Sequence, residues 1–240
     1  INYRYSSLAV LDKLGLNFGT GGAIPEYQDI SFNVNFPQQK FGKINLFGIA
    51  GKSAINIDAV ENEMQQGAYG DRGFDINFKT KAAILGATTT IKKTNNSSII
   101  IALGISYTGT KSIQDSVSKM NNEKTLWYTG DFDQVKLNAS FKYLKKINTF
   151  QTLLQGFSIE NNLFSLNDKK LYDGTELRPI RNSKGSTALA SGFVQWQLKR
   201  VKDFSISTGI HSQFFFLSNS LAIEPRANIK WSIKQNHSLY

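Results

Sequence analysis

The sequence predicts an all-β fold, an antiparallel up-and-down transmembrane β-barrel, of which this chain supplies about nine to ten strands of a larger barrel. Three observations carry that expectation. Apolar and polar residues alternate at a period of two in segment after segment, which gives a strand one greasy face and one wettable face. The connections between these segments alternate between short basic turns and long polar stretches. Aromatic residues gather beside the short turns.

Taken in order, an entering strand lies near Asn2–Ser7. Next, Ile30, Phe32, Val34 and Phe36 alternate with Ser31, Asn33 and Asn35. The stretches 43–57 and 73–91 alternate less cleanly and read ambiguously. From Ser98 to Thr108 the odd positions Ile99, Ile101, Leu103, Ile105 and Tyr107 are large and apolar, while the even ones are small or polar apart from Ile100. Val135, Leu137, Ala139, Phe141 and Tyr143 alternate with Lys136, Asn138, Ser140 and Lys142, a face too charged for a dry interior. Ala190, Gly192, Val194, Trp196 and Leu198 oppose Ser191, Gln195 and Gln197. Phe204, Ile206, Ile210 and Phe214 oppose Ser205, Ser207, His211 and Gln213, and Ala227, Ile229, Trp231 and Ile233 oppose Asn228, Lys230 and Ser232. The expected sum is the entering strand, eight spanning strands, a ninth from about Ala222 and a last one starting at Ser238.

Short turns fall at 37–42, 92–96, 145–149, 199–203 and 234–237, the first four at near-constant spacing, with long polar stretches at 58–72, 112–131 and 167–186 and a brief one near 218–220. No blade or solenoid motif recurs at that period, so what repeats is a hairpin with two unlike ends. Outer-membrane barrels have this asymmetry, with short turns on the periplasmic side and long loops outside. Phe36, Phe41, Tyr143, Phe150, Trp196, Phe204 and Trp231 lie near the short turns, where an interfacial girdle belongs. A soluble β-sandwich with these rings in its core is the bland alternative.

Composition narrows the classes further. The 240 residues carry 28 Lys+Arg against 18 Asp+Glu, a formal charge of +10, with two His and no Cys. Disulfides, thiolate nucleophiles and cysteine–zinc clusters are therefore excluded. The basic excess is segregated: Lys92, Lys93, Lys145, Lys146, Lys199, Arg200, Lys202 and Lys234 sit at the short turns, whereas Asp58, Glu61, Glu63, Asp71, Asp115, Glu123, Asp131 and Asp133 favour the long stretches. The longest apolar runs, 99–103 and 214–217, are far short of the ~18 residues of a spanning helix. The first residues lack a basic n-region and an apolar h-region, so any signal peptide lies outside this chain. A strand cut off at Tyr240 cannot cross a ~25 Å apolar band, and a barrel tolerates no open edge in lipid. Residues 1–240 are thus expected to be a single barrel fragment with further strands on both sides.

Two stretches, Gly21-Gly22-Ala23-Ile24-Pro25-Glu26-Tyr27-Gln28-Asp29-Ile30-Ser31-Phe32 and Ser220-Leu221-Ala222-Ile223-Glu224-Pro225-Arg226-Ala227-Asn228-Ile229-Lys230-Trp231, the second followed by Asn236-His237-Ser238-Leu239, resemble barrel segments of TonB-dependent receptors from Bacteroidota. Asp71-Arg72-Gly73-Phe74 and the strand after it are similar in style, so the resemblance covers most of the chain. It implies a plugged, 22-stranded outer-membrane transporter. Its partners would be outer-membrane lipid, an unidentified imported ligand, a plug domain of the same parent protein and, through that plug, TonB. Plug and TonB box are absent from these residues.

Catalytic and cofactor chemistry finds little support. Gly51-Lys52-Ser53 imitates the end of a phosphate loop, but the first glycine's place is taken by Leu46. Gly19-Thr20-Gly21-Gly22 lacks the dinucleotide spacing and reads as a turn. His211 shares a polar face with Ser205, Ser207 and Gln213, as in barrel enzymes that modify lipids, yet no acid stands near it in sequence to orient it. Glu61, Glu63, Asp131 and Asp133 are a candidate Ca²⁺ set, with plain solvation the bland reading. Lys/Arg with interleaved aromatics raises single-stranded nucleic acid, but the basic residues sit at every short turn and no RNP, zinc or OB signature is present. The expectation is an outer-membrane receptor barrel of a Gram-negative bacterium, no enzyme, with no metal, cofactor or nucleic acid. Ligand contacts would lie in 58–72, 112–131 and 167–186, the last offering Lys169, Lys170, Tyr172, Asp173, Glu176, Arg178 and Arg181. The alternatives are a complete small barrel with a structural, porin or secretion role and, third, a lipid hydrolase or acyltransferase.

Overall fold

A computed structural model describes residues 1–7, 25–39, 42–59, 73–118, 120–200, 204–234 and 237–239. Among the described residues eleven strands follow one another: β1 (Asn2–Ser7), β2 (Glu26–Gln39), β3 (Gly42–Ile57), β4 (Phe74–Thr94), β5 (Ser97–Val117), β6 (Lys124–Lys146), β7 (Gln151–Tyr172), β8 (Glu176–Arg200), β9 (Phe204–Phe215), β10 (Ser220–Lys234) and β11 (His237–Leu239). They form one sheet in sequence order, each antiparallel to the next. β1 and β11 are its free edges, so the sheet is an open part of a barrel wall. The ambiguous stretches 43–57 and 73–91 belong to β3 and β4. Gly51-Lys52-Ser53 lies within β3, as strand and not as a phosphate loop.

Register sorts the side chains onto two faces, because directly opposed residues share a face. One face carries Ile30, Ala50, Ala83, Tyr107, Val135 and Leu163 in a single cross-strand row. The rows below it hold Leu85, Ile105 and Leu137, then Val34, Leu46, Leu103 and Ile159, and the band continues through Val194, Ile210 and Ile229. Many of these residues are exposed, Leu103 at 57% and Ile210 at 59%. In water that surface would be untenable; in acyl chains it is what a barrel exterior requires. Among the described residues only Ala59 is an apolar side chain buried in protein, because a single-layer sheet has no second layer to pack on.

The opposite face carries Asn33, Asn45, Thr88, Ala102, Ser140 and Ser158, with Lys136, Glu160, His211 and Arg226. Three of its rings lie over cross-strand glycines: Phe47 on Gly86, Phe193 on Gly156 and Phe164 on Gly185. At Gly86 an added Cβ would meet the Phe47 ring at 2.3 Å. Five of the expected girdle residues, Phe36, Tyr143, Trp196, Phe204 and Trp231, share the apolar face. They step progressively further along the strands from β2 to β10, as strands tilted against a membrane normal demand. Phe150 lies in the β6–β7 turn, and Phe41 lies outside the described residues.

Candidate functional site

The expected loops 112–131 and 167–186 are mostly strand. β5 and β6 run on to Val117 and Lys124, β7 and β8 to Tyr172 and Glu176, leaving connections only at 118–123 and 173–175. The physical reason is local at the second one: Asp173 and Gly174 take φ of 51° and 72°, the left-handed centre of a tight turn closed by the Thr175 amide donating to the Tyr172 carbonyl at 3.2 Å, within a three-residue hairpin connection. The strands therefore stand above the apolar band as a continuous wall of paired sheet. Of 58–72, Asp58 and Ala59 are described; the remainder, with Glu61, Glu63, Asp71 and Arg72, lies outside the described residues, as does Gly19–Gly22.

On the inner face of this wall the register brings Gly130, Asp168 and Arg181 side by side. Asp168 is 2% exposed. Its carboxylate accepts from Arg181 Nε at 3.0 Å and Nη2 at 2.8 Å, and from the Tyr128 hydroxyl at 3.2 Å. The guanidinium holds the Asp168 carboxyl below the usual carboxylate range against the pull of burial, and burial with the neighbouring carboxylate pushes the Tyr128 phenol up. Arg181 also lies 5.0 Å from the Phe132 ring centre. Nearer the tip, Lys170 sits 5.0 Å over Trp127, which leans on Phe74 at 5.7 Å, and Arg178 sits 4.6 Å over Tyr172. On the outer face, Asp75 takes the Ala59 amide at 2.8 Å and pairs with Lys124; burial raises its carboxyl, and these two partners more than offset that. The result is an aromatic and cationic rim whose carboxylates are already engaged by side chains. Such a surface can hold a ligand by stacking and by charge without ordering its own side chains first.

Of the expected contact residues, Lys170, Tyr172, Glu176, Arg178 and Arg181 join this rim, and Asp173 forms the hairpin turn. Lys169 follows a register shift at Asp168, opposite Pro179. Sequence reasoning missed Asp168, Tyr128, Phe132 and Trp127. The parity of Tyr128, Phe132 and Asp168 and the Asp-Gly dipeptide were the available signals, since a hairpin there makes 167–186 two paired strands; Trp127, the extra residue at a register shift, carries no such signal. Asp131 and Asp133 occupy the outer face instead, where Asp133 accepts from the Tyr107 hydroxyl at 2.6 Å. Among the described residues no three His, Asp or Glu side chains are placed to hold a metal ion.

His211 corrects the sequence reading. An acid does stand beside it: Nδ1 lies 3.3 Å from Glu224 Oε2 and 3.3 Å from Arg226 Nη2, and Glu224 also pairs with Arg226. Glu224 is opposite His211 on the neighbouring strand, a proximity only the register reveals.

No protein-family model matches the sequence, and no curated protein does. Solved structures do match. The siderophore receptor PirA from Acinetobacter baumannii is similar over 97% of this chain and 36% of its own, with a TM-score of 0.57 and 13% identity. The ferric preacinetobactin receptor BauA from the same organism is similar over 94% and 38%, at 0.53 and 11%. The copper transporter OprC is similar over 89% and 34%, at 0.54 and 12%. The chain thus spans just over a third of the length of these proteins. At such identities the likeness is one of fold: the wall of an outer-membrane β-barrel.

Proposed function

We propose that the chain is part of the barrel of an outer-membrane receptor that imports a scarce ligand through TonB, of the kind found in Bacteroidota, with a plug domain and further strands supplied by the same parent protein. The observation that carries this reading is the rim above the apolar band, where Asp168, Arg181, Tyr128 and Phe132 face inward beside Lys170 over Trp127. A structural barrel needs no such ordered, inward-facing aromatic and cationic array at one end. Resemblance in fold to a siderophore receptor and a copper transporter supports the same reading. In it the chain is a transport scaffold and no enzyme, and the His211–Glu224–Arg226 group braces the lumen wall.

The test begins with the parent reading frame. A plug-sized domain upstream, of ~130–150 residues, is the expected result; a frame holding only a signal peptide and one or two more strands sinks the proposal. The full-length protein is then assayed for uptake of ferric citrate and of catecholate and hydroxamate ferric siderophores, in cells with and without tonB. Uptake that needs tonB and falls in Arg181→Ala and Trp127→Ala is expected. In the same protein, His211→Ala is expected to leave uptake intact and to reveal no lost activity on lipid substrates.

A further inference from the structure

The basic excess is not confined to the short turns. On the outer face, in the rows directly above Ile30, Ala50, Ala83 and Tyr107, stand Lys52, Lys79, Lys81 and Lys111. Lys52 is directly opposite Lys81, and Lys79 directly opposite Lys111. Cross-strand partners approach to roughly 5 Å between Cβ atoms, and like charges there destabilise a sheet. Lys79 and Lys81 are also same-face neighbours along β4. All four are exposed. On the β6 side Asp131 stands opposite Lys111, and Asp133 is engaged by Tyr107; on the β2 side lie Gln28 and Glu26. Among the described residues no carboxylate forms an ion pair with Lys52, Lys79 or Lys81.

The surface beside these lysines is shaped as well as charged. A depression of about 380 Å³ below them is lined by Tyr3, Ile30, Ala50, Ala83 and Tyr107 together with Lys52 and Lys81, and is almost wholly apolar. A second, of about 360 Å³, opens above the same two lysines among Tyr5, Glu26, Gln28 and Lys79, and is more polar. Apolar recess, row of ammonium groups and polar recess follow one another along the strands, in the order in which a phosphorylated glycolipid presents its acyl chains and then its phosphate-bearing sugar headgroup. The small side chains Ala50 and Ala83 leave the lower recess open. A membrane-facing lysine row placed one step above an acyl-contacting row meets headgroups and not bulk water.

We propose that Lys52, Lys79 and Lys81 dock the phosphorylated headgroup of a glycolipid in the leaflet on the long-strand side, with its acyl chains on the Ile30–Ala50–Ala83 row. A phosphate dianion relieves the repulsion of the opposed lysines, which the sheet by itself leaves uncompensated. This docking depends on the membrane orientation of the sheet and not on what the barrel transports.

The test uses the full-length natural protein purified in detergent and mixed with phosphatidylcholine vesicles containing diphosphoryl lipid A, with retained lipid measured by native mass spectrometry. Each lysine near an anionic lipid surface strengthens binding roughly fivefold, so Lys52→Gln/Lys79→Gln/Lys81→Gln is expected to retain at least roughly tenfold less lipid A. Dephosphorylated lipid A is expected to bind as weakly to the natural protein. The Lys→Arg triple at the same positions, and Lys92→Gln/Lys93→Gln/Lys145→Gln at the opposite end, are expected to bind as the natural protein does. Equal retention by the glutamine triple, equal binding of dephosphorylated lipid A, or failure of the arginine triple would overturn the proposal. So would complete displacement by inorganic phosphate, which would make this a site for the free anion.

Discussion

At the height of Leu103 the sheet has two incompatible faces, whereas further along the same strands, around Asp131 and Asp168, both faces are polar. Strand pairing continues through both regions, with register shifts at Gln114/Asp115 and Asp168/Lys169, so the presence of backbone hydrogen bonding does not distinguish them. The surroundings do. In the band one face meets acyl chains and tolerates no charge, and side chains there contact lipid as much as each other. Above it the inner face meets water and the outer face meets first headgroups and then water, and order comes from cross-strand pairs such as Asp168–Arg181 and Lys124–Asp75. Stability in the band therefore depends on the bilayer, and stability of the rim depends on specific partners.

The sharpest way to break this comparison is Leu103→Arg. A cation on the lipid face near the midplane should cost about 2–4 kcal/mol, measured by denaturant unfolding in bilayers. Equal cost for Asn138→Arg, which lies beside it in the register but on the inner face, would refute the face assignment. Next in size, Arg181→Ala leaves the buried Asp168 carboxylate without its bidentate partner and should cost about 1–3 kcal/mol; a loss well below that range would mean water replaces the guanidinium. Smaller still is a pH effect. Because the folded carboxyl of Asp168 is held down, its contribution is complete above the ordinary aspartate pKa of ~3.9 and fades as pH falls through the lower folded value. Acid titration of rim unfolding should accordingly flatten in Asp168→Asn, and an unchanged profile would remove that carboxylate from the account. The smallest effect expected is Asn138→Arg itself, within about 0.5 kcal/mol.

Much of the band is legible in the amino-acid sequence alone, and the rim is not. Ile99 to Tyr107 and Val135 to Tyr143 announce their faces by alternation, since lipid imposes a uniform rule on every second residue. Above the band that rule lapses, and Lys124 to Asp131 or Asn167 to Ser186 read as polar loops although they are strands. Asp173-Gly174 is the one local mark of the hairpin.

By itself, then, the sequence determined the fold class, the position of the short turns and the inside and outside of most strands, because each follows from side chains acting one strand at a time. The register was decided only by tertiary structure. It set Glu224 beside His211, Arg181 beside Asp168 and Lys52 beside Lys81, since a contact between strands depends on where two chains of hydrogen bonds come into step, and no single segment carries that information.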